Sequence, residues 1–572
     1  MLAFAAMNWR GLTGLALAGL STGVLLGCTP PRQVEHDLAA LLPIAEAGQG
    51  VRAGRGSLLI PAGTEAAFYL DLPGESELSL TGVSARGAAA ASLTVAVQEE
   101  GKAEAVLETI AAGTRAVRLD LPGEGRHLLR LALRAKGNLL LGRPRVISAA
   151  RATTAAPVPK RAKTRPNVIV YLVDTLRADH LGCYGYPKPV SPYLDRFAGR
   201  ATLFETAIAQ APWTRPSVTS VLTGLGPLEH GVRTLEDRLP DAADTLAERL
   251  RAAGYRTAAF STNLHVTADT GLAQGFDDFF LSPQEDSAAI NRRVLAWLDG
   301  HLDAEPFFLY IHTLDPHAPY APPPDLRQRF APAARPQAGT VESLRRIYAV
   351  RGPRRAARIA EVAPLYDAEI AANDRSFGAL LAALRARELF EESLIVFVAD
   401  HGEALGEHQD FGHAQSLYAE ELNVPLVVKL PFQSRGERVS RLAQHVDLLP
   451  TVLAAAGLPP ASGLPGADLF GPAGEREPAA FSHLSYSGRE GMSVVFDGWK
   501  RIEPWSRKLG ERPELYRRGN ERKDLAAENP VRNGFLGSLL RAEKLRGRHG
   551  LRPEEAGMDE ETRRGLEALG YL

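Results

Sequence analysis

Cysteine is nearly absent: the 572 residues contain two, Cys28 and Cys183. That excludes a disulfide-stapled scaffold and any thiolate-rich zinc or iron–sulfur site. An excess of one charge is lacking too. Lys+Arg 66 against Asp+Glu 67 leaves −1, so nothing in the balance calls for nucleic acid or another acidic polymer as partner. Apolar residues at 45% and charged residues at 23% sit near the globular average, which excludes a disordered or fibrous chain. The length leaves room for about three or four domains, or one large domain with a smaller companion.

The N-terminus reads as an address. Met1 to Arg10 carries one positive charge, and Gly11 to Leu26 is apolar and uncharged. This run falls short of the ~20 apolar residues that span a bilayer. It ends Leu25-Leu26-Gly27-Cys28, similar to a bacterial lipobox, in which the cysteine becomes the lipidated first residue. Residues 1–28 are therefore expected to be a lipoprotein signal peptide. The chain is expected in the bacterial cell envelope, lipid-anchored to a membrane, on the periplasmic or outer surface. An uncleaved anchor, or a secretory signal with an incidental cysteine, is the plainer alternative. Export makes Cys183 better buried than exposed.

From residue 32 to 150 the pattern has period two, as in Leu93, Val95 and Val97 or Leu129, Leu131 and Leu133. Asp71-Leu72-Pro73-Gly74-Glu75 recurs as Asp120-Leu121-Pro122-Gly123-Glu124, a turn after a strand each time. Short strands with regular turns predict a β-sandwich module. Its only aromatics are Phe68 and Tyr69, which favours a packing role over carbohydrate binding. Residues 151–165, rich in Pro, Thr and basic residues, read as a linker.

Beyond it the texture changes. Val168 to Val173 is a continuous β-branched run, as in a strand buried on both faces. Thr257 to Phe260, Phe307 to Ile311, Leu394 to Val398 and Pro425 to Val428 are similar, with helical patterns at Thr245 to Ala253 and Ser376 to Arg385 between them. Such alternation predicts an α/β domain over 166–480 with a mostly parallel sheet flanked by helices. Residues 481–572 read as a small antiparallel subdomain and tail, with strands near Met492 to Phe496 and Lys500 to Ile502.

Ligand chemistry gathers at the carboxyl ends of parallel strands. There stand Asp174, after the first run, and Asp400-His401, after Leu394 to Val398. Such groups are costly to bury unless paired or bound to a cation, although a lone Asp after a strand is often a helix cap. A third piece is Trp213-Thr214-Arg215-Pro216-Ser217. Pro216 suits the first turn of a helix, so Thr214 is expected just before it, where the helix N-terminus favours an anion. Thr214 is then either an N-cap or a nucleophile whose hydroxyl pKa a divalent cation lowers.

At these residues the chain resembles the sulfatase family of the alkaline-phosphatase superfamily. The likeness runs from Pro166-Asn167 through Asp174 to Tyr184-Gly185 and continues in Leu222-Thr223-Gly224, Asp315-Pro316-His317, Asp400-His401-Gly402-Glu403 and Phe411-Gly412-His413. It implies an alkaline-phosphatase-like fold, a metal-dependent ester hydrolase or transferase, and an anionic ester as substrate, among them a cell-envelope glycan or lipid. The departures are as telling. The family's C/S-x-P-x-R motif supplies a Cys or Ser that is oxidised to formylglycine. Here Thr214 takes that place and Val218 that of its Arg, and threonine cannot give the aldehyde. Thr175 replaces the second Asp of an Asp-Asp pair, Asp400-His401 replaces Asp-Asn, and Asn263-Leu264-His265 lacks the Lys of Lys-x-His.

These changes move the resemblance toward phosphoryl-transferring members that use a metal-bound threonine. The implied metal site is Asp174, Thr214, Asp400 and His401. That donor set suits zinc or manganese, with calcium or magnesium as alternatives. The implied catalytic residues are Thr214 as nucleophile, with His317 and His413 contacting the transferred group, protonating the leaving oxygen, or holding a second metal. His312, His408 and His230 are weaker candidates, with surface hydrogen bonding as their default. Arg345, Arg346, Arg351, Arg354, Arg355 and Arg358 form either a solvated helical face or a steering patch for an anionic polymer or lipid head group. Phosphoesters and phosphodiesters are the preferred substrates. A sulfatase acting on sulfated glycans and a non-catalytic glycan-binding lipoprotein are the alternatives.

Overall fold

The computed structural model describes residues 32–87, 90–150, 165–283, 285–301, 306–472, 479–504, 512–557 and 563–565. Cys28 and nearly all of the linker lie outside the described residues. The chain divides into two compact units.

The first unit holds the N-terminal region together with residues 513–517 and 523–545. Strands Glu65–Leu72, Ser92–Glu99 and His127–Lys136 lie antiparallel at the centre of a five-stranded sheet, and two four-stranded antiparallel sheets accompany it. The period-two pattern explains the packing. Leu129, Leu131 and Leu133 are 0% exposed, whereas Arg130 and Arg134 between them pair with Glu65 and Glu104 on the solvated face. Helix Pro530–Gly547 contributes most of its length to this unit. Arg541 donates to the carbonyl of Ile44 at 2.8 Å. Gly534 lies under Tyr69, where a Cβ would come within 2.2 Å of the ring. The stretch from 481 onward is thus shared between the two units.

In the second unit, β1 (Val168–Val173), β2 (Thr202–Phe204), β3 (Arg256–Ser261), β4 (Asp278–Leu281), β5 (Phe307–Thr313), β6 (Leu394–Ala399), β7 (Leu426–Lys429) and β8 (Glu437–Val439) form one sheet. Its order is β4-β3-β5-β1-β6-β7-β2-β8. Every residue of β1, β5 and β6 is buried, which is why they read as unbroken apolar runs. The other seven strands are joined in parallel steps, five on one side of β7 and two on the other, and β7 itself pairs antiparallel with β6 and β2. Helices α1 (Thr214–Thr223), α2 (Leu246–Ala252), α3 (Val341–Tyr348) and α4 (Gly352–Ala386) belong to this unit. The sequence predicts only the last third of α4, because Pro364 and an arginine-rich first turn obscure its start. Strands β9 (Ala479–Tyr486), β10 (Arg489–Phe496) and β11 (Trp499–Pro504) pair antiparallel in succession. Cys183 is free and only half-buried.

The register of the parallel strands sets the site. Val173 pairs with both Thr313 and Ala399, and Ser261 with His312. The residues that follow β1, β3 and β6 therefore emerge side by side at one edge.

Candidate active site

Asp174 and Asp400 follow paired residues of adjacent strands, and the backbone at this edge orients them. Asp400 Oδ1 accepts from the N–H of His401 at 2.8 Å and of Thr175 at 3.2 Å. Thr175 has φ 53°, a costly conformation for a β-branched side chain, and the turn it makes aims its N–H at Asp400. His401 Nε2 lies 3.7 Å from Asp174 Oδ1 and 3.4 Å from Asp400 Oδ2. All three side chains are fully buried, and one ligand atom from each falls within 4.8 Å of the others.

Thr214 joins them from a distant part of the chain. It is the first residue of α1, with Trp213 in extended conformation as the N-cap. The expected place just before the helix is thus occupied by Trp213, and Thr214 is not itself the cap. Its Oγ1 lies 3.4 Å from His401 Nε2, the same nitrogen that lies 3.4 Å from Asp400 Oδ2.

These residues fit a divalent cation. Asp174 Oδ1 and Asp400 Oδ2 are buried oxygens with no hydrogen-bond partner among the described residues, a costly arrangement without a counter-ion. Burial pushes Asp174 up, but the imidazoles of His317, His312 and His401 outweigh it and hold the carboxyl low. Burial and then the Asp174 charge push Asp400 well above the usual range. Burial, with His413 nearby, keeps His401 neutral, as a ligand nitrogen must be. Two carboxylates, an imidazole and a hydroxyl are a donor set for zinc or manganese more than for calcium.

His317 and His413 lie on the same side of the cluster. Their ring centroids are 5.0 Å apart, and His413 is 4.7 Å from His401. His413 Nδ1 faces Glu403 Oε1 at 3.3 Å. Burial lowers the His413 pKa, but Glu403 reverses the sign and raises it, whereas burial keeps His317 low.

Two residues are more central than their sequence context indicates. Asn263 donates to Asp174 Oδ2 at 2.5 Å and to Thr214 Oγ1 at 3.4 Å, so one amide clamps both. It follows the end of β3, and a polar residue after a parallel strand is the signal that marks it. His312, rated a weak candidate above, is fully buried with Nε2 3.4 Å from Asp174 Oδ2. His230 and His408 lie elsewhere; His230 is buried, whereas His408 is an exposed, hydrogen-bonded residue. His230 bonds Ser220 at 3.2 Å, and His408 bonds Glu420 at 2.7 Å while stacking on Tyr418. Arg215 is also buried. It donates to the carbonyls of Leu235 and Asp237 and to His265 Nδ1 at 3.4 Å, which leaves Nε2 as the protonated nitrogen of His265.

A profile of the sulfatase family matches residues 166–458, just over half the chain. The chain belongs to the sulfatase family. An ulvan-active sulfatase of Formosa agariphila is 28% identical over 341 residues, covering 54% of this chain and 64% of the relative. A low-salt glycan biosynthesis sulfotransferase of Haloferax volcanii is 29% identical over 315 residues, covering 51% and 61%. The chain therefore spans less than two thirds of the length of either relative. Among solved structures, the phosphonate monoester hydrolase of Agrobacterium radiobacter has a TM-score of 0.56 at 22% identity, over 67% of this chain and 96% of that one. The fold is accordingly the α/β, alkaline-phosphatase-like one. Every residue of the cluster, with His317 and His413, lies inside the sulfatase match.

Proposed function

We propose that this chain is a metal-dependent ester hydrolase or transferase that attacks phosphoric or sulfuric esters with Thr214, phosphoric esters first. The observation that carries the reading is the 3.4 Å approach of Thr214 Oγ1 to His401 Nε2 inside a fully buried cluster of carboxylates. Asp174, Asp400, His401 and Thr214 would hold the cation, which supplies a lowered hydroxyl pKa and a positive charge facing the ester oxygens.

The chain's own groups do the rest. Asp400, whose Oδ2 has no hydrogen-bond partner among the described residues, is the carboxylate that would take the Thr214 proton. Asn263 fixes the oxygen relative to Asp174. Thr214 Oγ1 bonds to the phosphorus or sulfur as the bond to the ester oxygen breaks, and the first-turn N–H groups of α1 face the negative oxygens. His413, whose protonated form Glu403 favours against the effect of burial, gives its proton to the departing oxygen. Water, or an acceptor alcohol, then takes the group from Thr214 and restores the hydroxyl.

Sulfate esters of glycans are the second reading, favoured by the name of the Formosa agariphila relative. A purely binding role accords poorly with an intact Asp174, Thr214, Asp400 and His401. The leader ending in Cys28 further suggests that this activity is exported and lipid-anchored, which labelling of the native protein with a fatty-acid probe tests. The enzymatic reading is tested by metal content together with turnover of paired nitrophenyl phosphate, bis-phosphate and sulfate esters. Metal-loaded protein inert on all of them would count against it.

A further inference from the structure

A cavity of about 170 Å³ opens beside His317 and His413. One face of α3 forms its wall. Val341, Leu344, Arg345 and Tyr348 all line it, and their i, i+3, i+4, i+7 spacing puts them on one helical stripe. The Tyr348 ring stands tilted against Phe411, with centroids 5.6 Å apart. Its hydroxyl occupies the space a Cβ on Gly412 would need, 2.2 Å away, and Gly412 has φ 87°. Glycine just before His413 thus both turns the chain and admits the tyrosine. Tyr486 lines the cavity from β9 and packs on Trp213, the neighbour of Thr214, with centroids 5.1 Å apart.

The volume is far below the ~300–1,000 Å³ of pockets for drug-sized ligands, so it suits a single six-membered ring. Aromatic walls suit the faces of such a ring. Arg345 is the charged residue of an otherwise apolar and aromatic stripe, and a guanidinium fork matches a planar oxyanion. Resting on the reading of Thr214, His317 and His413 as an ester-cleaving centre, we infer that this cavity receives the alcohol half of the ester. That alcohol is a single ring, sugar or aryl, carrying an acidic substituent that Arg345 reads.

The test uses the full-length, metal-loaded protein and two esters differing by one carboxylate: the para-nitrophenyl ester and its ring-carboxylated counterpart, each as phosphate and as sulfate. The native protein is expected to favour the carboxylated ester in kcat/KM. In Arg345→Gln the ratio between the two is expected to fall about tenfold, the worth of one charge-assisted hydrogen bond. Arg345→Lys, which keeps the charge and loses the fork, falls between. Calorimetric affinities for the two free nitrophenols need no turnover and are expected to show the same preference and the same loss. A native protein that binds the carboxylated phenol preferentially yet cleaves neither ester would remove the Thr214 reading and support the cavity assignment. Equal affinity for the two phenols, or a ratio that Arg345→Gln leaves unmoved, would overturn the assignment.

Discussion

Thr214 Oγ1 and His401 Nε2 stand 3.4 Å apart although 187 residues separate them in the chain. Two features bring them together: the end of β6, which carries His401, and the first turn of α1, which carries Thr214. If that contact marks a nucleophile, the hydroxyl is what matters. Thr214→Ala is expected to lower kcat by roughly three orders of magnitude or more, with bound metal retained through the other ligands. Thr214→Ser is expected to keep much of the rate. Steady-state kinetics with metal analysis of each variant checks both.

Asn263 is expected to act as the clamp of the cluster. With its amide gone, Asp174 and the Thr214 oxygen lose their shared donor. Asn263→Ala should weaken zinc or manganese binding about 10- to 100-fold, the usual cost of removing an outer partner of a ligand. Competition with a chromogenic chelator measures this, and an unchanged affinity would show that the clamp does not serve the metal.

Metal should also stabilise the fold. Two buried carboxyl groups with unsatisfied oxygens oppose folding until a cation arrives. At a hundredfold excess over Kd, binding to the native state alone contributes about 2.7 kcal/mol. Adding zinc or manganese to chelator-treated protein is therefore expected to raise the thermal midpoint, and Asp174→Asn should abolish the rise.

Acid sensitivity has a separate source. His230 and His445 are fully buried and outside the cluster, and burial lowers their pKa values to about 3 and about 4. Unfolded, each would titrate near 6.5. Between those limits the unfolded chain binds more protons than the folded one. Their contribution is therefore complete above pH ~6.5 and is lost as pH falls toward the folded values, at up to about 1.4 kcal/mol per pH unit for each histidine. Denaturant midpoints measured across that range should fall with acid, and His230→Gln should flatten the fall.

Much of this site is legible in the sequence because its physics is local. Unbroken apolar runs mark strands buried on both faces, and Asp174 and Asp400-His401 stand out as charge where the sheet ends. What is not legible depends on partners. Leu426–Lys429 reads like its parallel neighbours, since burial on both faces erases any sign of direction. His312 hides inside β5, where only the pairing with Ser261 and the proximity of Asp174 reveal its role. Asn263 reads as a missing lysine until its amide is seen bridging two residues far apart in the chain. The N-cap of α1 falls on Trp213 because tertiary packing, not side-chain capping, starts that helix.

The most direct measurement is to quench the metal-loaded protein during turnover of a nitrophenyl ester and map covalent mass by peptide analysis. The account predicts one phosphoryl or sulfuryl group on the peptide at Thr214, and none in Thr214→Ala. Turnover by Thr214→Ala at the native rate, with no adduct at that position in either protein, would contradict it.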